Sequence, residues 1–538
     1  MERMIKNSSF ETIISKSDQV CSGTPVVYQL KTETEKFGTL TKVTFGKNDA
    51  YKTKQKILLV GETGAGKSIL INALVNYMMG VKWEDEVWFQ IVKEEEHQTS
   101  DIVMYEIFGF EDKILPYSLS IIDTPGFGDT RGIKNDFIVS QRLFDLFRSE
   151  DGVHEIHAVG LVMKATDNRL SDRLMYVLDS VMSLFGKDIE NNIVALITHS
   201  NGRTPKSALQ ALEVANIKCA KNETSQPVYF LFNNQQNEDR TTEAEYLEGA
   251  NKISERGVRE FTIFVKEAVP QKLNRTTEVL KKRIRLTACI QNLQDRIRQI
   301  EHKQTEIKQI QENLKKHDKE LKENEKFTIY VDEPYKIKTY IPGGKKWFIF
   351  LRGAVTCNVC EENCHYPGCK MAWSPALCEV MKKGHCTVCT GNCPASVHVK
   401  NNFIYENQIR RVKKTLPDVK QKYETKSTSD NNVSLLKNLE EDKKNLSTEK
   451  SKLVDEAYHH VMSLEQIALK VDSVSTNVHL DFLIEKMRET KDTGKVQKLE
   501  EIKRKVDEGT KAALRYKHVS EKGSRCSKDG EHHSAGIQ

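Results

Sequence analysis

The chain has 538 residues, enough for about three or four domains. Only 38% of the residues are apolar and 29% are charged, so the sequence predicts much exposed helix beside its compact cores. The net charge of +6 is small for this length, and no basic patch is interleaved with aromatic residues, which argues against a nucleic-acid-binding surface. No apolar run approaches the roughly 20 residues of a membrane-spanning helix. Because the polar N-terminus also lacks the apolar core of a signal peptide, we expect a soluble, cytoplasmic protein.

A glycine-rich loop follows a polar N-terminal extension, residues 1–52, in which the sequence predicts one short strand at Lys42–Phe45. The loop matches G-x-x-x-x-G-K-[ST] and consists of Gly61, Glu62, Thr63, Gly64, Ala65, Gly66, Lys67 and Ser68. It lies between the apolar run Ile57–Val60, typical of a buried parallel strand, and the helical pattern Ile69–Val75. This context predicts a loop that binds phosphate through backbone N–H groups and a helix N-terminus. Lys67 is expected to reach the β- and γ-phosphates, and Ser68 to bind Mg²⁺.

Strands and helices alternate through residues 53–275. After the first strand, the predicted strands are Ile102–Phe108, Leu119–Ile122, His157–Met163, Ile193–Thr198 and Val228–Phe232, and Ser171–Phe185 is a predicted helix. This alternation predicts an α/β fold with a mainly parallel sheet covered on both faces. Together with the glycine-rich loop, it predicts a P-loop NTPase domain.

A second motif, Asp123–Gly126, follows directly after the predicted strand Leu119–Ile122. An Asp at the carboxyl end of a buried strand can hold Mg²⁺ through water, and the N–H of Gly126 can reach the γ-phosphate. Thr99, just ahead of a strand, is the candidate for a switch threonine that closes on Mg²⁺ and the γ-phosphate. The predicted magnesium ligands are therefore Ser68, Thr99 and Asp123.

Three motifs carry a resemblance to a known family: the loop Gly61–Ser68, the run Asp123–Asp129 and the segment Ile197–Ser200. Together they resemble the septin-like GTPases of the immunity-associated, avirulence-induced-gene type, over roughly residues 53–270. The resemblance implies a domain that binds GTP and GDP and that forms dimers through its nucleotide face.

The resemblance also implies which residues contact the base. It places Thr198–Asn201, which includes His199, against the base, and it places Asn233 and Asn234 near it. Guanine is normally recognised by an Asp carboxylate, but the corresponding residue here is Asn201, whose amide offers one acceptor and a donor that would face a donor. Losing this charged contact should cost about 1–3 kcal/mol, so guanine preference is expected from the resemblance, with an adenine nucleotide as the alternative.

Phe127 follows Gly126, where Ras-like GTPases have a Gln that orients the attacking water. Because a phenyl ring cannot do so, hydrolysis would need a group from a dimer partner or an arginine of the same chain, such as Arg131 or Arg169. The alternative is that Phe127 is a buried side chain that packs under the loop.

The region 276–326 has an apolar repeat of about 3.5 residues, which predicts a coiled coil or a long amphipathic helix. Eight of its eleven seam positions are apolar; these positions are Leu286, Ile290, Leu293, Ile297, Ile300, Gln304, Ile307, Gln311, Leu314, Asp318 and Leu321. A helix that folds back on the nucleotide domain is the competing interpretation.

Residues 327–400 combine strand-like segments with a cysteine-rich repeat. The predicted strands are Phe327–Val331, Tyr335–Tyr340 and Lys345–Leu351, with a hairpin turn at Pro342–Gly344.

Eight of the twelve cysteines lie within residues 357–393. Two similar halves provide four candidate ligands each, Cys357, Cys360, Cys364 and Cys369 in the first and Cys386, Cys389, Cys393 and His398 in the second. Such sets suit tetrahedral Zn²⁺ better than an iron–sulfur cluster or disulfides. The spacing leaves open whether each half binds its own ion or the halves exchange ligands, and Cys378, His365 and His385 lie nearby.

Residues 401–520 are predicted to be helical and highly charged, with Leu439, Leu446 and Leu453 recurring every seven residues. A loop at Ser427–Asn432 separates helices, so the two coiled segments are expected to flank the zinc module as an antiparallel pair. The tail, residues 521–538, has the composition of a disordered segment.

These features predict a GTP-binding switch protein, a slow GTPase whose nucleotide state controls self-association through its G domain and coiled coils. The helices and the zinc module would contact an unidentified protein effector. One alternative is a scaffold or adaptor that binds nucleotide without turnover. Another is a zinc-dependent partner-binding or ubiquitin-ligase-like module that the G domain regulates.

Overall fold

The computed structural model describes residues 10–37, 40–47, 52–93, 102–108, 117–127, 134–166, 171–316, 328–341, 353–366, 374–423, 432–470 and 473–517. The chain divides into two compact units. The first contains Met1–Leu280, Ile467–Asn477 and Ile502–Gln538, and the second contains Lys281–Gln466 and Val478–Glu501. None of the helices in the described ranges combines the length and the apolar character that crossing a membrane requires.

The first unit contains an eight-stranded sheet and a three-stranded sheet. Its strands are β1 (Ser17–Cys21), β2 (Val26–Leu30), β3 (Glu33–Phe37), β4 (Leu40–Phe45), β5 (Lys54–Gly61), β6 (Val87–Gln90), β7 (Ile102–Ile107), β8 (Ser118–Asp123), β9 (Glu155–Ile156), β10 (Ala158–Lys164), β11 (Ile193–Thr198), β12 (Tyr229–Leu231) and β13 (Gln271–Lys272). Its helices are α1 (Glu11–Ile14), α2 (Lys67–Met79), α3 (Lys134–Arg148), α4 (Asp172–Met182), α5 (Lys206–Val214), α6 (Arg240–Glu267) and the start of α7 (Asn274–Lys316).

The large sheet has the strand order β12–β11–β10–β5–β8–β7–β4–β3. Strand β5 is parallel to both of its neighbours, with Leu59 opposite Asp123 of β8 and Val60 opposite Leu161 of β10. Residues 57–60 are fully buried, as a central parallel strand requires. Antiparallel pairing enters only between β7 and β8 and at the edge between β3 and β4. The prediction of a mainly parallel sheet is therefore confirmed.

The N-terminal region is more regular than the sequence analysis predicted. Only Lys42–Phe45 was expected to be a strand within residues 1–52, but four strands lie between Ser17 and Phe45. The polar strands β3 and β4 extend the large sheet, and β2 pairs with β6 in the small sheet. The prediction of an irregular extension is wrong because pairing with a preformed sheet stabilises strands whose own sequence is largely polar.

Two segments from the end of the chain complete the first unit around the buried Asp179 of α4. The Asp179 carboxylate accepts hydrogen bonds from the backbone N–H of Val474 at 2.8 Å and from Thr510 Oγ1 at 2.9 Å. Lys470 Nζ lies 3.2 Å from the same carboxylate and 3.1 Å from Asp507. Because Asp179 and Lys470 are both buried, the pair fixes the C-terminal segments against α4.

The second unit combines helices with short sheets. Its strands are β14 (Thr328–Tyr340), β15 (Ala354–Cys357), β16 (Glu362–His365), β17 (Met381–Lys382), β18 (His385–Cys386), β19 (His398–Asn401) and β20 (Phe403–Thr415). Besides most of α7, its helices are α8 (Leu416–Tyr423), α9 (Asn432–Ile467), α10 (Val474–Glu489) and α11 (Thr493–Arg504), which extend partly into the first unit.

Helices α7 and α9 run antiparallel within the second unit. Lys282 Nζ donates to Ser463 Oγ at 2.7 Å, and Gln311 Nε2 donates to Glu440 at 3.2 Å, so the start of one helix lies beside the end of the other. The predicted apolar stripe of α7 is buried, each residue at most 4% exposed: Leu286, Ile290, Leu293, Ile297, Ile300, Ile307 and Leu314. The antiparallel arrangement agrees with the expectation from sequence, while the coiled coil itself stays a prediction. Asp318 and Leu321 lie outside the described residues.

Strand β14 pairs with β20 along its whole length, from Thr328 opposite Thr415 to Tyr340 opposite Phe403. The sequence analysis expected two strands where β14 is continuous, and it expected helix from residue 401 onward. Both expectations are wrong: β20 alternates apolar and polar residues along part of its length, and a partner strand 75 residues earlier supplies its hydrogen bonds. The predicted hairpin turn Pro342–Gly344 and the strand Lys345–Leu351 lie outside the described residues.

The buried pair on α4 yields a stability prediction. We expect Asp179→Ala to lower the free energy of unfolding by about 3–5 kcal/mol, because Lys470 would keep a buried charge with one partner fewer. Urea denaturation of the full chain measures the change. The matched control is Asp172→Ala on the same helix, whose carboxylate pairs with Arg515 at the surface, with side chains 38% and 60% exposed. This control should cost less than about 1 kcal/mol, and equal losses in the two variants would contradict the prediction.

Candidate functional site

The loop between β5 and α2 has the backbone conformation that a phosphate-binding loop needs. Gly64 and Gly66 have φ angles of 80° and 92°, which favour glycine. Gly66 is the N-cap of α2, and a Cβ there would lie 3.3 Å from the side chain of Thr198. Thr198 Oγ1 in turn donates to the carbonyl oxygen of Ala65 at 2.7 Å, which ties the tip of β11 to the loop. The loop therefore directs the N-terminus of α2 at the position where a phosphate would bind.

Lys67 lies folded onto this loop. Its Nζ donates to the carbonyl oxygens of Gly61 at 3.2 Å and Glu62 at 3.0 Å. Burial lowers the pKa of Lys67, and the nearby carboxylates of Asp123 and Glu62 oppose that shift. A phosphate group would be a stronger partner for this buried ammonium than two neutral carbonyl oxygens. Ser68, the next residue of the helix, is half-buried.

Asp123 is the last residue of β8 and lies beside β5 in the sheet. Burial raises the pKa of Asp123 to about 6, although Lys67 and the backbone N–H of Thr124 both favour its charged form. Its Oδ1 atom is buried and has no hydrogen-bond partner among the described residues. A buried carboxylate oxygen without a partner is costly, and a hydrated divalent cation would satisfy it. The residues present therefore fit Mg²⁺ at this position.

The segment after Asp123 is joined to the phosphate loop. The backbone N–H of Phe127 donates to Gly61 at 3.1 Å, and a Cβ on Gly126 would lie 2.3 Å from Thr63 Oγ1, so only glycine fits there. Thr63 Oγ1 is buried without a hydrogen-bond partner in the described part of the chain. Phe127 is fully buried, which agrees with the packing interpretation and leaves its ring no access to an attacking water.

An ion pair that the sequence analysis missed lies at the same loop. Arg173 Nε lies 2.8 Å from the Glu62 carboxylate, and both side chains are partly exposed. The sequence analysis named Arg131 and Arg169 as candidate arginines, but both lie outside the described residues, as does Thr99. No sequence pattern links Glu62 to Arg173, since the two residues are brought together only by the α/β fold.

The predicted base-reading residues follow β11 and β12. His199 and Asn201 are exposed, and His199 has a φ of 52° with its Nδ1 3.2 Å from Thr198 Oγ1. Asn201 Oδ1 accepts from the backbone N–H of Arg203 at 3.1 Å. The backbone N–H of Asn233 donates to Ser254 Oγ at 2.9 Å. Their contact with a base stays a prediction.

Comparison with known proteins identifies the type of this domain. Residues 55–256 match the model of the AIG1 family. This segment has a P-loop GTPase fold and is similar to the G domains of that family.

Solved structures with a similar fold include two of Toc33 from Arabidopsis thaliana. The complex with Mg²⁺ and GMPPNP is 17% identical with a TM-score of 0.28, covering 41% of this chain and 88% of that one. The complex with GDP and Mg²⁺ is 16% identical with a TM-score of 0.27, covering 40% and 87%. The elongation factor SelB from Methanococcus maripaludis, in complex with a GTP analogue, is 10% identical with a TM-score of 0.24, covering 40% and 35%. A search of curated protein sequences finds no match.

Within the described residues, cysteines of the repeat region form three groups of potential metal ligands together with nearby His and Glu side chains. In each group, one donor atom per residue lies within 4.8 Å of all the others. The groups are Cys357, Cys360, Cys389 and Cys393; Cys364, Cys386, Cys389 and His398; and His365, Cys378 and Glu379. Each of the first two groups combines donor atoms from both halves of the repeat, so the geometry favours an exchange of ligands over one ion per half. Cys369 lies outside the described residues.

Backbone N–H groups surround the sulfur atoms of this module. Cys360 N donates to Cys357 Sγ at 3.4 Å, Cys389 N donates to Cys386 Sγ at 3.4 Å, and Cys393 N donates to Cys389 Sγ at 3.3 Å. Such bonds stabilise thiolates, the form in which cysteine binds metal. The donor set is thus mostly soft and suits tetrahedral Zn²⁺.

The position of Lys67 yields a binding prediction for the AIG1-type domain. We expect Lys67→Ala to abolish measurable triphosphate binding, since charge-assisted hydrogen bonds to phosphate contribute about 1.5–3 kcal/mol each, while the fold survives. Calorimetric titration with a non-hydrolysable GTP analogue tests binding, and thermal denaturation tests the fold. The control is Lys56→Ala, a change on the strand that precedes the loop, and this variant should bind the GTP analogue with wild-type affinity. An intact Lys67→Ala protein with wild-type affinity would refute the assignment.

The raised pKa of Asp123 yields a pH prediction. Below pH 6 the carboxyl is protonated and cannot serve Mg²⁺, so affinity for the Mg²⁺-triphosphate should fall with decreasing pH. Because the terminal phosphate of the nucleotide also titrates near pH 6, Asp123→Asn is the reference. Since the ionised fraction of a carboxyl with a pKa of about 6 falls about fivefold between pH 6 and pH 5, we expect the wild-type affinity to fall about fivefold more than that of the variant over this range. Parallel pH profiles for the two proteins would show that Asp123 does not contribute.

Proposed function

We propose that this protein is a GTP-binding switch with slow hydrolysis, and that its self-association depends on the bound nucleotide. The observation that carries the proposal is the buried Asp123 Oδ1, which has no partner among the described residues and lies beside a glycine-rich loop that holds Lys67. Burial shifts the pKa of each side chain toward its neutral form. A magnesium-bound triphosphate would give Asp123 Oδ1 a partner and would give Lys67 a charged partner in place of carbonyl oxygens. Mg²⁺ bound through Ser68 and Asp123 would neutralise phosphate charge, with Thr99 as a further candidate ligand.

Slow hydrolysis is supported by Phe127. Its side chain is buried at the place where a water-orienting group is needed. Neither Phe127 nor the Glu62–Arg173 pair positions a water in this state, because Arg173 is occupied by the carboxylate of Glu62. A scaffold that binds nucleotide without turnover is the second candidate, since the same burial of Phe127 also favours it.

Guanine is the proposed base, with a weaker preference than an Asp would give. The Asn201 side chain is exposed, and its one acceptor oxygen already accepts from the backbone N–H of Arg203. Its amide nitrogen could only donate, and the guanine edge at that position also donates. The proposal is therefore that discrimination against adenine depends mostly on His199, the backbone after β11 and Asn233.

Replacing Asn201 tests the choice of base. We expect Asn201→Asp to increase the ratio of GTP to ATP affinity by about tenfold or more, because a carboxylate would accept from two guanine donors. Competition titrations against a fluorescent GDP analogue measure the ratio. The control is Asn216→Asp, a change at an exposed turn residue with a φ of 50° outside the base-reading segments. ATP binding that equals GTP binding in both proteins would instead favour an ATPase.

Zinc binding by the cysteine-rich module is the second part of the proposal. The module buries Cys357, Cys364, Cys386, Cys389 and Cys393, and among the described residues its apolar core is small apart from these side chains. Metal binding would therefore contribute directly to its folding. The helices and the zinc module are proposed to contact a protein effector.

Turnover in a dilution series tests the switch. If a partner G domain supplies the missing catalytic group, GTP hydrolysis per molecule should rise with the concentration of the full chain, and sedimentation should show more dimer with GTP than with GDP. The Lys67→Ala protein gives the background rate. The scaffold would be the better description if GTP hydrolysis per molecule did not change with concentration. The same would follow if dimer formation were equal in GTP and in GDP.

A further inference from the structure

Two of the potential metal-binding groups share one sulfur atom. Cys389 Sγ lies within 4.8 Å of the donor atoms of Cys357, Cys360 and Cys393, and equally within 4.8 Å of those of Cys364, Cys386 and His398. Each group thus has three ligands of its own and Cys389 in common. Two tetrahedral ions need eight ligand positions, and seven donors fill eight positions only if one donor is used twice.

The separations between donors suit this arrangement. Zn–S bonds of about 2.3 Å in tetrahedral geometry place two sulfurs about 3.8 Å apart. Cys360 Sγ and Cys393 Sγ are 3.6 Å apart. Gly391 permits this approach, because a Cβ there would lie 2.8 Å from Cys393 Sγ and 3.4 Å from Cys360 Sγ.

His398 is oriented as a ligand of the second group. Its Nδ1 lies 2.9 Å from the carbonyl oxygen of Pro394, which makes Nδ1 the donor and leaves the lone pair on Nε2. Nε2 is buried and has no hydrogen-bond partner among the described residues. This is the arrangement expected of a metal-binding imidazole.

Burial decides how the fourth position of each ion is filled. Cys364 is fully buried, and Cys386, Cys389 and His398 are at most 3% exposed, so water has little access to the second group. Among the described residues, an ion held by Cys364, Cys386 and His398 would find its fourth ligand in Cys389, whose sulfur lies within reach of all three donor atoms. The first group would have the same deficit if Cys389 belonged only to the second.

We propose that the module holds a dinuclear zinc centre in which the Cys389 thiolate bridges the two ions. This inference rests on the proposed zinc binding and adds its nuclearity. Six thiolates and a neutral imidazole around two Zn²⁺ ions leave two negative charges. Backbone N–H donors offset part of this charge: the N–H of Gly391 donates to Cys360 Sγ at 3.4 Å, and Cys386 Sγ accepts from Val388 and Cys389, each at 3.4 Å.

X-ray absorption at the zinc edge of the zinc-loaded full chain tests the bridge. Two ions that share one thiolate through bonds of about 2.3 Å must lie about 3.5–4 Å apart, which gives a zinc–zinc scattering contribution. Elemental analysis of the same sample should give at least two zinc ions per chain. Zinc content with no zinc–zinc contribution would overturn the bridge and leave zinc binding intact, whereas a metal-free chain that remains folded would overturn both.

Variants separate the bridging sulfur from the others. We expect Cys389→Ser to remove the zinc–zinc contribution and to lower the affinity of both ions. Cys393→Ser should weaken one ion and leave the other, which native mass spectrometry resolves as the loss of one zinc. Cys289→Ser, a buried cysteine of the same unit outside all three groups, should keep the zinc–zinc contribution and the wild-type zinc content. If Cys389→Ser and Cys393→Ser each lose only one ion, Cys389 does not bridge. The scattering of the wild-type protein decides the question even if Cys389→Ser fails to fold.

Discussion

The buried charges of Lys67 and Asp123 are the constraint on which the nucleotide site depends. Removing a charge from water costs several kcal/mol, and burial shifts the pKa of each side chain toward its neutral form. The loop satisfies Lys67 with two carbonyl oxygens, whereas Asp123 Oδ1 has no hydrogen-bond partner within the part of the chain that the structure describes. This arrangement is tolerable only because β5 and β8 are adjacent parallel strands that hold both loops rigidly. A magnesium-bound triphosphate would add partners for both side chains. Because it binds only the folded protein, it would raise the free energy of unfolding.

The cysteine-rich module also buries groups that a bound cation would satisfy, but its donor atoms are sulfur and nitrogen instead of oxygen. Buried sulfur atoms and a buried imidazole nitrogen are brought together by short strands with little apolar core. Oxygen donors around Asp123 suit a hard cation that keeps its water, whereas thiolates suit zinc. The first unit therefore offers oxygen donors and the second offers mainly sulfur donors. This difference in donor atoms alone favours a different cation in each unit. Chelation that removes zinc should leave the magnesium site intact for this reason.

The sequence was sufficient to predict the parts of the fold that depend on local patterns. The strand before the phosphate loop, the helix after it and Asp123 at the end of a strand were all identifiable, because spacing and apolar runs encode them. The pairing of β14 with β20 was not, because each strand depends on a distant partner, with Thr328 opposite Thr415 and Tyr340 opposite Phe403, and each carries many charges of its own. The exchange of ligands between the two cysteine halves was left open for the same reason. Identical spacing in both halves cannot show which sulfur atoms meet in space.

Contacts between residues far apart in sequence also determine which segments belong to the nucleotide-binding unit. The family match ends at residue 256, but Asp179 within it is buried by residues near 474 and 510. An excised segment 55–256 would expose that carboxylate and the face of α4 around it, and it would also lack β3 and β4 of the sheet. The chain passes through the second unit before it returns to complete the first, so the contacts that bury Asp179 join residues far apart in sequence. Nucleotide binding is therefore to be measured on the full chain, because the segment that the family model matches lacks these contacts.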